Sequence, residues 1–236
     1  MNENRISLGI LGVFIFAGLL GLGYFISQGI QKAKAGDRTI VVKGLSEREV
    51  WANIAIWPLK FTVAGNDLGT IYSQVSENNR VIIDFLKSQG FKDEEINVAP
   101  PSIFDREAER FGEKKGARYV ATSIVNVYTD RVDLVLKTMK KTSELVKKGI
   151  ALQGESYDAK PEFLFTELNK IKPEMIEEAT KNARKAALKF AKDSNSRLGK
   201  IKRARQGLFT ITDRDRNTPY IKKVRVVTTV EYYLID

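Results

Sequence analysis

The chain has 236 residues, of which 43% are hydrophobic and 29% are charged, and its formal net charge is +10. It contains no cysteine and no histidine, which excludes disulfides, thiol nucleophiles, thiolate metal sites, Ser-His-Asp and Cys-His catalytic constellations and most zinc or copper centres. We therefore expect no enzyme, no metal site and no cofactor, and carboxylate, lysine or tyrosine chemistry is the catalytic alternative that remains.

The first predicted element is a membrane-spanning helix over Ile6–Ile26, a run without a charged residue. At about 1.5 Å per residue, this run is long enough to cross the roughly 30 Å hydrocarbon core of a bilayer. We expect residues 1–35 to form an anchor and linker. Residues 36–236 are expected to form the folded part, as one large domain or as two small interlocked ones.

A secretory signal is the second interpretation of the N-terminus. Ala33-Lys34-Ala35 fits a small-x-small cleavage site, and cleavage there would release a soluble form that begins at Gly36. The apolar run exceeds the about 7–15 residues of a typical signal core, which favours a retained anchor. Three basic residues follow the run and one precedes it. This difference mildly favours a cytoplasmic domain, but long domains cross membranes largely regardless of charge.

The N-terminal half of the folded part alternates β-branched runs with an amphipathic helix. We predict strands over 39–43, 50–63, 96–106 and 118–129, a turn over 44–48, a helix over 66–89 and a charged loop over 107–116. Asn66 and Asp67 are the expected N-cap residues of the helix, and Gly90 is its expected end. Pro58 and Pro100-Pro101 cannot donate to a sheet ladder, so each predicts a bulge, a kink or a sheet edge.

The C-terminal half contains two more predicted helices. We predict one helix over 130–148, capped by Asp130 and closed by Gly149, and a longer one over 173–198 that begins with Pro173 and ends near Gly199. Strands are predicted within 157–168 and over 201–212 and 224–235. The longer helix has a small-residue face suited to close packing, formed by Ala179, Ala183, Ala186, Ala187, Phe190 and Ala191.

This order of elements predicts an α+β fold in which antiparallel or mixed sheets are covered by three helices. Three aromatic residues of the second strand region are expected in the core or at an interface: Trp51, Trp57 and Phe61.

The positive charge is concentrated near the C-terminus, where residues 197–225 hold ten basic and two acidic residues. Nine of the basic residues are candidates for binding an anionic surface: Lys200, Lys202, Arg203, Arg205, Arg214, Arg216, Lys222, Lys223 and Arg225. Anionic lipid or an envelope polymer is the expected partner beside a membrane anchor, with about 1 kcal/mol from each basic residue near the surface. Nucleic acid is the least expected partner of a membrane-bound domain. The competing explanations are a solvated hairpin and contacts with acidic residues of a neighbouring subunit.

The acidic residues give weaker predictions. Asp213 and Asp215 alternate with arginines, so we expect them to neutralise their neighbours rather than to bind metal. Asp105, Glu107 and Glu109 could carry out acid-base chemistry, but a charged hairpin tip accounts for them as well.

The folded part resembles the SIMPL domain family from Thr39 to Leu234. The resemblance rests on the order and spacing of several short matches rather than on one motif. These matches are Ile40-Val41-Val42-Lys43-Gly44 with Glu49-Val50, Leu86 to Phe91 with Glu95-Ile96, Tyr119-Val120-Ala121, Asp133-Leu134 to Gly149, Ala179 to Ala191, and Leu198-Gly199-Lys200-Ile201. Trp51-Ala52-Asn53 departs from the family pattern, which has a proline and an aspartate there.

The resemblance implies a non-enzymatic protein of the bacterial cell envelope, without catalytic residues to assign and with a link to stress responses. It also implies a homo-oligomer. Together with the N-terminal helix, it predicts a single-pass inner-membrane protein whose domain lies outside the cytoplasm, in the periplasm. The other two hypotheses are a module that binds lipid or wall polymer through the basic segment, and an enzyme that uses carboxylates in a cleft.

Overall fold

The structure is a computed structural model that describes residues 3–35, 38–108, 116–154 and 159–235, and along the N-terminal helix it describes the side chains from Gly12 to Ile30. The helices are α1 (Glu3–Ala35), α2 (Leu68–Ser88), α3 (Val132–Met139), α4 (Ser143–Lys147) and α5 (Leu168–Asp193). The strands are β1 (Thr39–Trp51), β2 (Ile54–Gly65), β3 (Ile96–Val98), β4 (Ser102–Asp105), β5 (Tyr119–Thr129), β6 (Glu162–Leu164), β7 (Arg197–Gln206), β8 (Thr210–Asp213) and β9 (Ile221–Ile235). The predicted α+β class with antiparallel sheets is confirmed.

The chain divides into two compact units, each built from separated segments. The first unit comprises Met1–Glu47, Lys172–Phe209 and Arg225–Asp236, and the second comprises Arg48–Ile171 and Thr210–Val224. The predicted boundary between an anchor ending at residue 35 and a domain beginning at residue 36 stays a prediction.

In the first unit, strands in the order β1-β9-β7 are covered on one face by α5. The buried residues of α5 recur every four positions, as one helix face requires, and they are Met175, Ala179, Ala183, Ala187 and Ala191. This spacing confirms the predicted small-residue face except at two residues, because Phe190 is exposed and Ala186 is only half-buried.

Gly44 of β1 lies directly under this alanine face. A Cβ atom at Gly44 would lie 1.8 Å from the carbonyl oxygen of Ala179 and 2.4 Å from the backbone nitrogen of Ala183. On either side of this contact, Ser46 donates its hydroxyl to Glu178 at 2.8 Å, and Asn182 donates its amide to the carbonyl of Leu45 at 2.9 Å. The strand and the helix therefore approach backbone to backbone.

In the second unit, β5 and β2 form the centre of a sheet in the order β3-β5-β2-β6. Strand β4 pairs with the same edge of β5 as β3 does, but nearer to the beginning of β5. Helix α2 packs against the sheet through an apolar face, formed by Ile71, Val75, Ile82, Phe85 and Leu86. Trp57 and Phe61 of β2 belong to this core, as predicted. Trp51 does not, because 58% of its surface is exposed.

Pro100-Pro101 interrupts the second unit's sheet as predicted, whereas Pro58 lies inside β2 without a bulge in the register with β5. Pro100-Pro101 separates β3 from β4, which both pair with β5. On the other side of β2, the pairing with β6 stops at Ile56, two residues before Pro58. Each proline thus lies where it removes no ladder hydrogen bond.

Several of the helix ends predicted from capping residues and glycines are confirmed. Asp67 caps α2 by accepting the backbone N–H of Thr70 at 2.7 Å, and Gly90 and Gly149 have φ values of +100° and +84° after α2 and α4. The predicted cap Asp130 is wrong, because α3 begins after Arg131, whose backbone N–H is accepted by the Thr129 hydroxyl at 3.0 Å.

Three predicted boundaries are wrong for identifiable reasons. The predicted turn over 44–48 lies inside β1, which is 13 residues long. The predicted helix over 130–148 is two helices, since the hydroxyls of Thr138 and Thr142 bond to the carbonyls of Leu134 and Met139 and compete with helix continuation. The predicted strand over 201–212 is likewise two strands, β7 and β8, separated by residues 207–209.

Helix α5 also differs from its prediction at both ends. It begins at Leu168, because Lys170 donates its N–H to the carbonyl of Glu167 at 3.0 Å and so forms a turn upstream of Pro173. It ends at Asp193 rather than near Gly199, since Asn195 takes the left-handed conformation with a φ of 52°.

Candidate functional site

The predicted basic site is centred on β7, an edge strand of the first unit. Strand β7 pairs on one side with β9, which places Arg203 opposite Glu231 and Arg205 opposite Thr229. Every side chain of β7 from Lys200 onward is exposed. Because residues two apart on a strand point to the same side, the guanidinium groups of Arg203 and Arg205 lie on one face of the sheet.

These two arginines line a shallow cavity of about 180 Å³ on the sheet face that α5 does not cover. Its other lining residues are Val41, Thr229 and Glu231. Neither arginine forms an ion pair with another residue of the described ranges. Two free guanidinium groups on one open face can donate paired hydrogen bonds to a phosphate or a carboxylate from outside the chain.

Two other basic residues of the first unit have acidic neighbours. The ammonium group of Lys202 lies 3.6 Å from Glu231 and 5.6 Å from the centre of the Tyr233 ring. Arg225 lies 3.9 Å from Glu47. These contacts reduce what either residue can contribute to an external anion.

The four basic candidates Arg214, Arg216, Lys222 and Lys223 lie in the second unit, on and beside the turn between β8 and β9. Arg214 contacts Asp215 at 2.9 Å and Glu49 at 3.4 Å, and Lys222 pairs with Asp213. Hydrogen bonds from Thr218 and Arg214 hold the pKa of Asp215 well below its usual range, and the Asp215 hydrogen bond raises the pKa of Arg214. As predicted, Asp213 and Asp215 neutralise basic neighbours.

The nine predicted residues are therefore divided, five in the first unit and four in the second. Among them, the cavity brings together only Arg203 and Arg205. Charged side chains on β7 also have a structural explanation, since lysines and arginines on an exposed edge strand oppose pairing with other strands.

The predicted acidic site is a structural ion pair. Asp105 and Glu107 contact the guanidinium group of Arg118 at 2.9 and 3.1 Å, and the hydrogen bond from Arg118 lowers the pKa of Asp105. Glu109 lies outside the described residues. A general acid at neutral pH needs a raised pKa, and this carboxyl has a lowered one. Within the described ranges, no three acidic side chains cluster as metal ligands do.

The sequence did not single out Val41, Thr229 and Glu231 as neighbours of the two arginines. The alternation of apolar and polar residues along β1 and β9 could have placed them on the open face of the sheet. Along β9 the even-numbered residues are buried, so the odd-numbered ones lie on the opposite face. Which odd-numbered residue faces which arginine depends on the bulges between Leu198 and Arg203, and the sequence does not reveal them.

The N-terminal helix contains a segment, Gly12–Ile30, that is long and apolar enough to cross a membrane. None of these 19 residues is buried against the rest of the protein. A membrane anchor and a signal sequence both have this character.

A family model described as SIMPL, protein of unknown function (DUF541), matches residues 40–230. The match covers more than half of the chain and begins after α1. No curated protein matches this chain.

Proposed function

The chain belongs to the SIMPL family, and from this membership we propose a non-enzymatic protein that α1 holds in the bacterial inner membrane. Its folded part lies outside the cytoplasm, in the periplasm, and it self-associates. A stress-related role fits the family resemblance. The observation that carries this proposal is the exposed apolar segment Gly12–Ile30. This 19-residue segment is mostly apolar and is not buried by any described part of the protein, which favours a lipid environment because exposure of apolar surface to water is unfavourable.

The non-enzymatic part of the proposal rests on side-chain chemistry. The chain has no histidine and no cysteine. The pKa shifts of described carboxyls are downward, and they concern Asp67, Glu77, Glu95, Asp105, Glu177 and Asp215. These shifts arise from hydrogen bonds to neighbouring groups, as structural carboxylates show, whereas a carboxylate cleft would need at least one acid with a raised pKa.

Self-association is supported by the open face of the first unit. Val41, Leu45 and Ile235 are exposed hydrophobic residues of its sheet, at strand positions that alternate with the buried ones facing α5. A second copy would remove this apolar area from water.

We expect the full chain, solubilised in detergent, to sediment as more than one 26.6 kDa copy at micromolar concentration. Sedimentation equilibrium gives the protein mass when the detergent is density-matched. A variant that lacks residues 1–35 separates the contribution of the folded part, which should retain the association, from that of α1. A monomer at all accessible concentrations would contradict self-association.

A second candidate function is binding of an anionic surface, either lipid or envelope polymer. Arg203 and Arg205 favour it, because neither forms an ion pair within the part of the chain that the structure describes. Removing both charges with Arg203→Gln and Arg205→Gln should weaken binding to vesicles that contain phosphatidylglycerol by about thirtyfold at low salt. This value follows from about 1 kcal/mol for each basic residue near the surface.

Helix α5 offers a control of equal charge. Lys185 and Lys189 are exposed on it, so Lys185→Gln with Lys189→Gln lowers the net charge by the same amount at another place. Vesicle co-sedimentation of residues 36–236 should show a much smaller change for this pair. Equal losses for both pairs would show a general charge effect and would contradict a site at Arg203 and Arg205.

A further inference from the structure

The second unit contains an exposed aromatic platform that the proposed function does not use. The ring of Trp51, 58% exposed, lies 5.3 Å from the ring of Tyr220 at an interplanar angle of 31°. Tyr220 in turn meets the buried ring of Phe163 edge to face at 6.0 Å. The three rings therefore form a column that leads from the core to the surface, and the core holds the exposed tryptophan in place.

The backbone beside Trp51 is fixed as well. Ala52 donates its N–H to the carbonyl of Tyr220 at 2.8 Å, and Asn53 donates its N–H to the carbonyl of Leu164 at 2.9 Å. The side-chain amide of Asn53 donates to the hydroxyl of Thr166 at 2.9 Å, and its oxygen accepts the backbone N–H of Thr166 at 2.8 Å. Since these bonds hold the segment in one conformation, a ligand that binds there pays little ordering cost.

Trp51 forms one wall of an open cleft of about 590 Å³, within the range of small-ligand sites. Four charged residues line the same cleft, namely Asp130, Arg131, Asp133 and Lys137. Arg131 is engaged by Glu95, whereas Asp130, Asp133 and Lys137 have no ion-pair partner in the described part of the chain. The cleft thus offers free hydrogen-bond acceptors and a free donor beside an aromatic face.

We propose that this cleft binds a gluco-configured pyranose residue of a glycan. The hydroxyls of such a ring are equatorial, so each face of the ring presents C–H groups that pack on an aromatic surface such as Trp51. The hydroxyls at the rim both donate and accept, and they match the carboxylates of Asp130 and Asp133 and the ammonium group of Lys137.

The charge balance of the cleft disfavours an anionic guest. Because Arg131 is paired with Glu95, two carboxylates and one ammonium group remain, so the lining is weakly negative and repels an isolated anion. A sugar is neutral, and its hydroxyls can pair with the carboxylates and with the ammonium group.

Tryptophan fluorescence tests the proposal directly, because the chain has only two tryptophans and the second, Trp57, is buried. In a Trp57→Phe background, Trp51 is the sole reporter. The full chain, in a zwitterionic detergent without sugar, is titrated with β-1,4-linked hexamers of N-acetylglucosamine and of glucose. We expect a saturable blue shift with at least one of them, with a dissociation constant of about 1 mM or lower.

Calorimetry on variants of the full chain identifies the surface responsible. Trp51→Leu should weaken the binding about tenfold or more, and Trp51→Tyr should restore most of it, because the tyrosine ring keeps an aromatic face. Tyr72→Leu removes an equally exposed ring, 60% accessible on α2, and should leave the binding unchanged. The proposal is overturned if neither hexamer shifts the Trp51 emission, if Trp51→Leu binds as well as the parent chain, or if tetramethylammonium saturates the shift in place of the sugars.

Discussion

Gly44→Ala is expected to lower the free energy of unfolding by about 3 kcal/mol or more, although it adds only one methyl group. The added Cβ would lie 1.8 Å from the carbonyl oxygen of Ala179 and 2.4 Å from the backbone nitrogen of Ala183. Both atoms belong to the backbone of α5, so no side-chain rotation relieves the overlap, and the helix must move away from β1. The movement would also weaken the contacts of Ser46 and Asn182 on either side.

Thermal and urea unfolding, followed by circular dichroism, measure this effect. For a chain of this size, about 3 kcal/mol corresponds to a fall of roughly 6–12 °C in the unfolding midpoint. Gly69→Ala is the matched control, because a Cβ there meets its nearest atom, Asp67 Oδ1, at an ordinary 3.6 Å within the first turn of α2. Its stability should be unchanged or slightly increased. If Gly44→Ala and Gly69→Ala unfold at the same midpoint, the backbone contact between β1 and α5 is absent.

Glu95→Gln is expected to cost about 2 kcal/mol at neutral pH, the second largest effect. The side chain of Glu95 is 11% exposed. Its carboxylate accepts the N–H of Lys92 at 2.7 Å, the hydroxyl of Thr129 at 2.5 Å and the guanidinium group of Arg131. Burial alone would raise the pKa of Glu95, but the hydrogen bonds from Arg131, Lys92 and Thr129 outweigh it and lower the pKa from its usual value.

The pH dependence of this effect has a definite sign. A carboxyl whose pKa is lowered by folding stabilises the protein above its unfolded pKa, about 4.5 for Glu95, and loses that contribution as the pH falls through the folded pKa. The difference in unfolding free energy between the parent chain and Glu95→Gln should therefore be constant above about pH 5 and shrink in more acidic solution.

Urea unfolding at several pH values measures this difference, with Glu94→Gln as the neighbouring control. Glu94 is 74% exposed and has a single contact with Lys92, at 3.3 Å, so its substitution should change stability by less than about 0.5 kcal/mol. A gap for Glu95→Gln that widens on acidification would show that the pairing with Arg131 and Thr129 is misassigned.

Features that depend on nearby residues could be predicted from the sequence. Asp67 caps α2 through a residue three positions away, and Gly90 and Gly149 supply positive φ angles that few other residues adopt. The alanine spacing of α5 also gives its buried face directly, because one face of a helix repeats every three to four residues.

Features that depend on distant parts of the chain could not be predicted in this way. Gly44 resembles a turn residue, yet it lies within β1 because α5, more than 130 residues later, needs a position without a side chain. Trp51 resembles a core residue, yet it is exposed and its ring contacts Tyr220, a residue about 170 positions later. No local signal reveals either contact.

The candidate site shows the same division. The concentration of basic residues near the C-terminus is visible in the sequence, and so is the alternation that puts Arg203 and Arg205 on one face. The chain, however, passes from one unit to the other between residues 209 and 210 and again between 224 and 225. This exchange places Arg203 and Arg205 in one unit and Arg214 and Arg216 in the other, a division that the charge count does not reveal.

Attachment to the membrane is the central claim, and alkaline carbonate extraction of membranes that contain the full-length chain tests it most directly. A tag after Asp236 and one before Met1 report whether both ends are present, and a variant that lacks residues 1–35 provides the released control. We predict that the chain with both tags stays in the membrane pellet while the variant appears in the supernatant. Recovery of the doubly tagged chain in the carbonate supernatant would contradict an anchor formed by Gly12–Ile30.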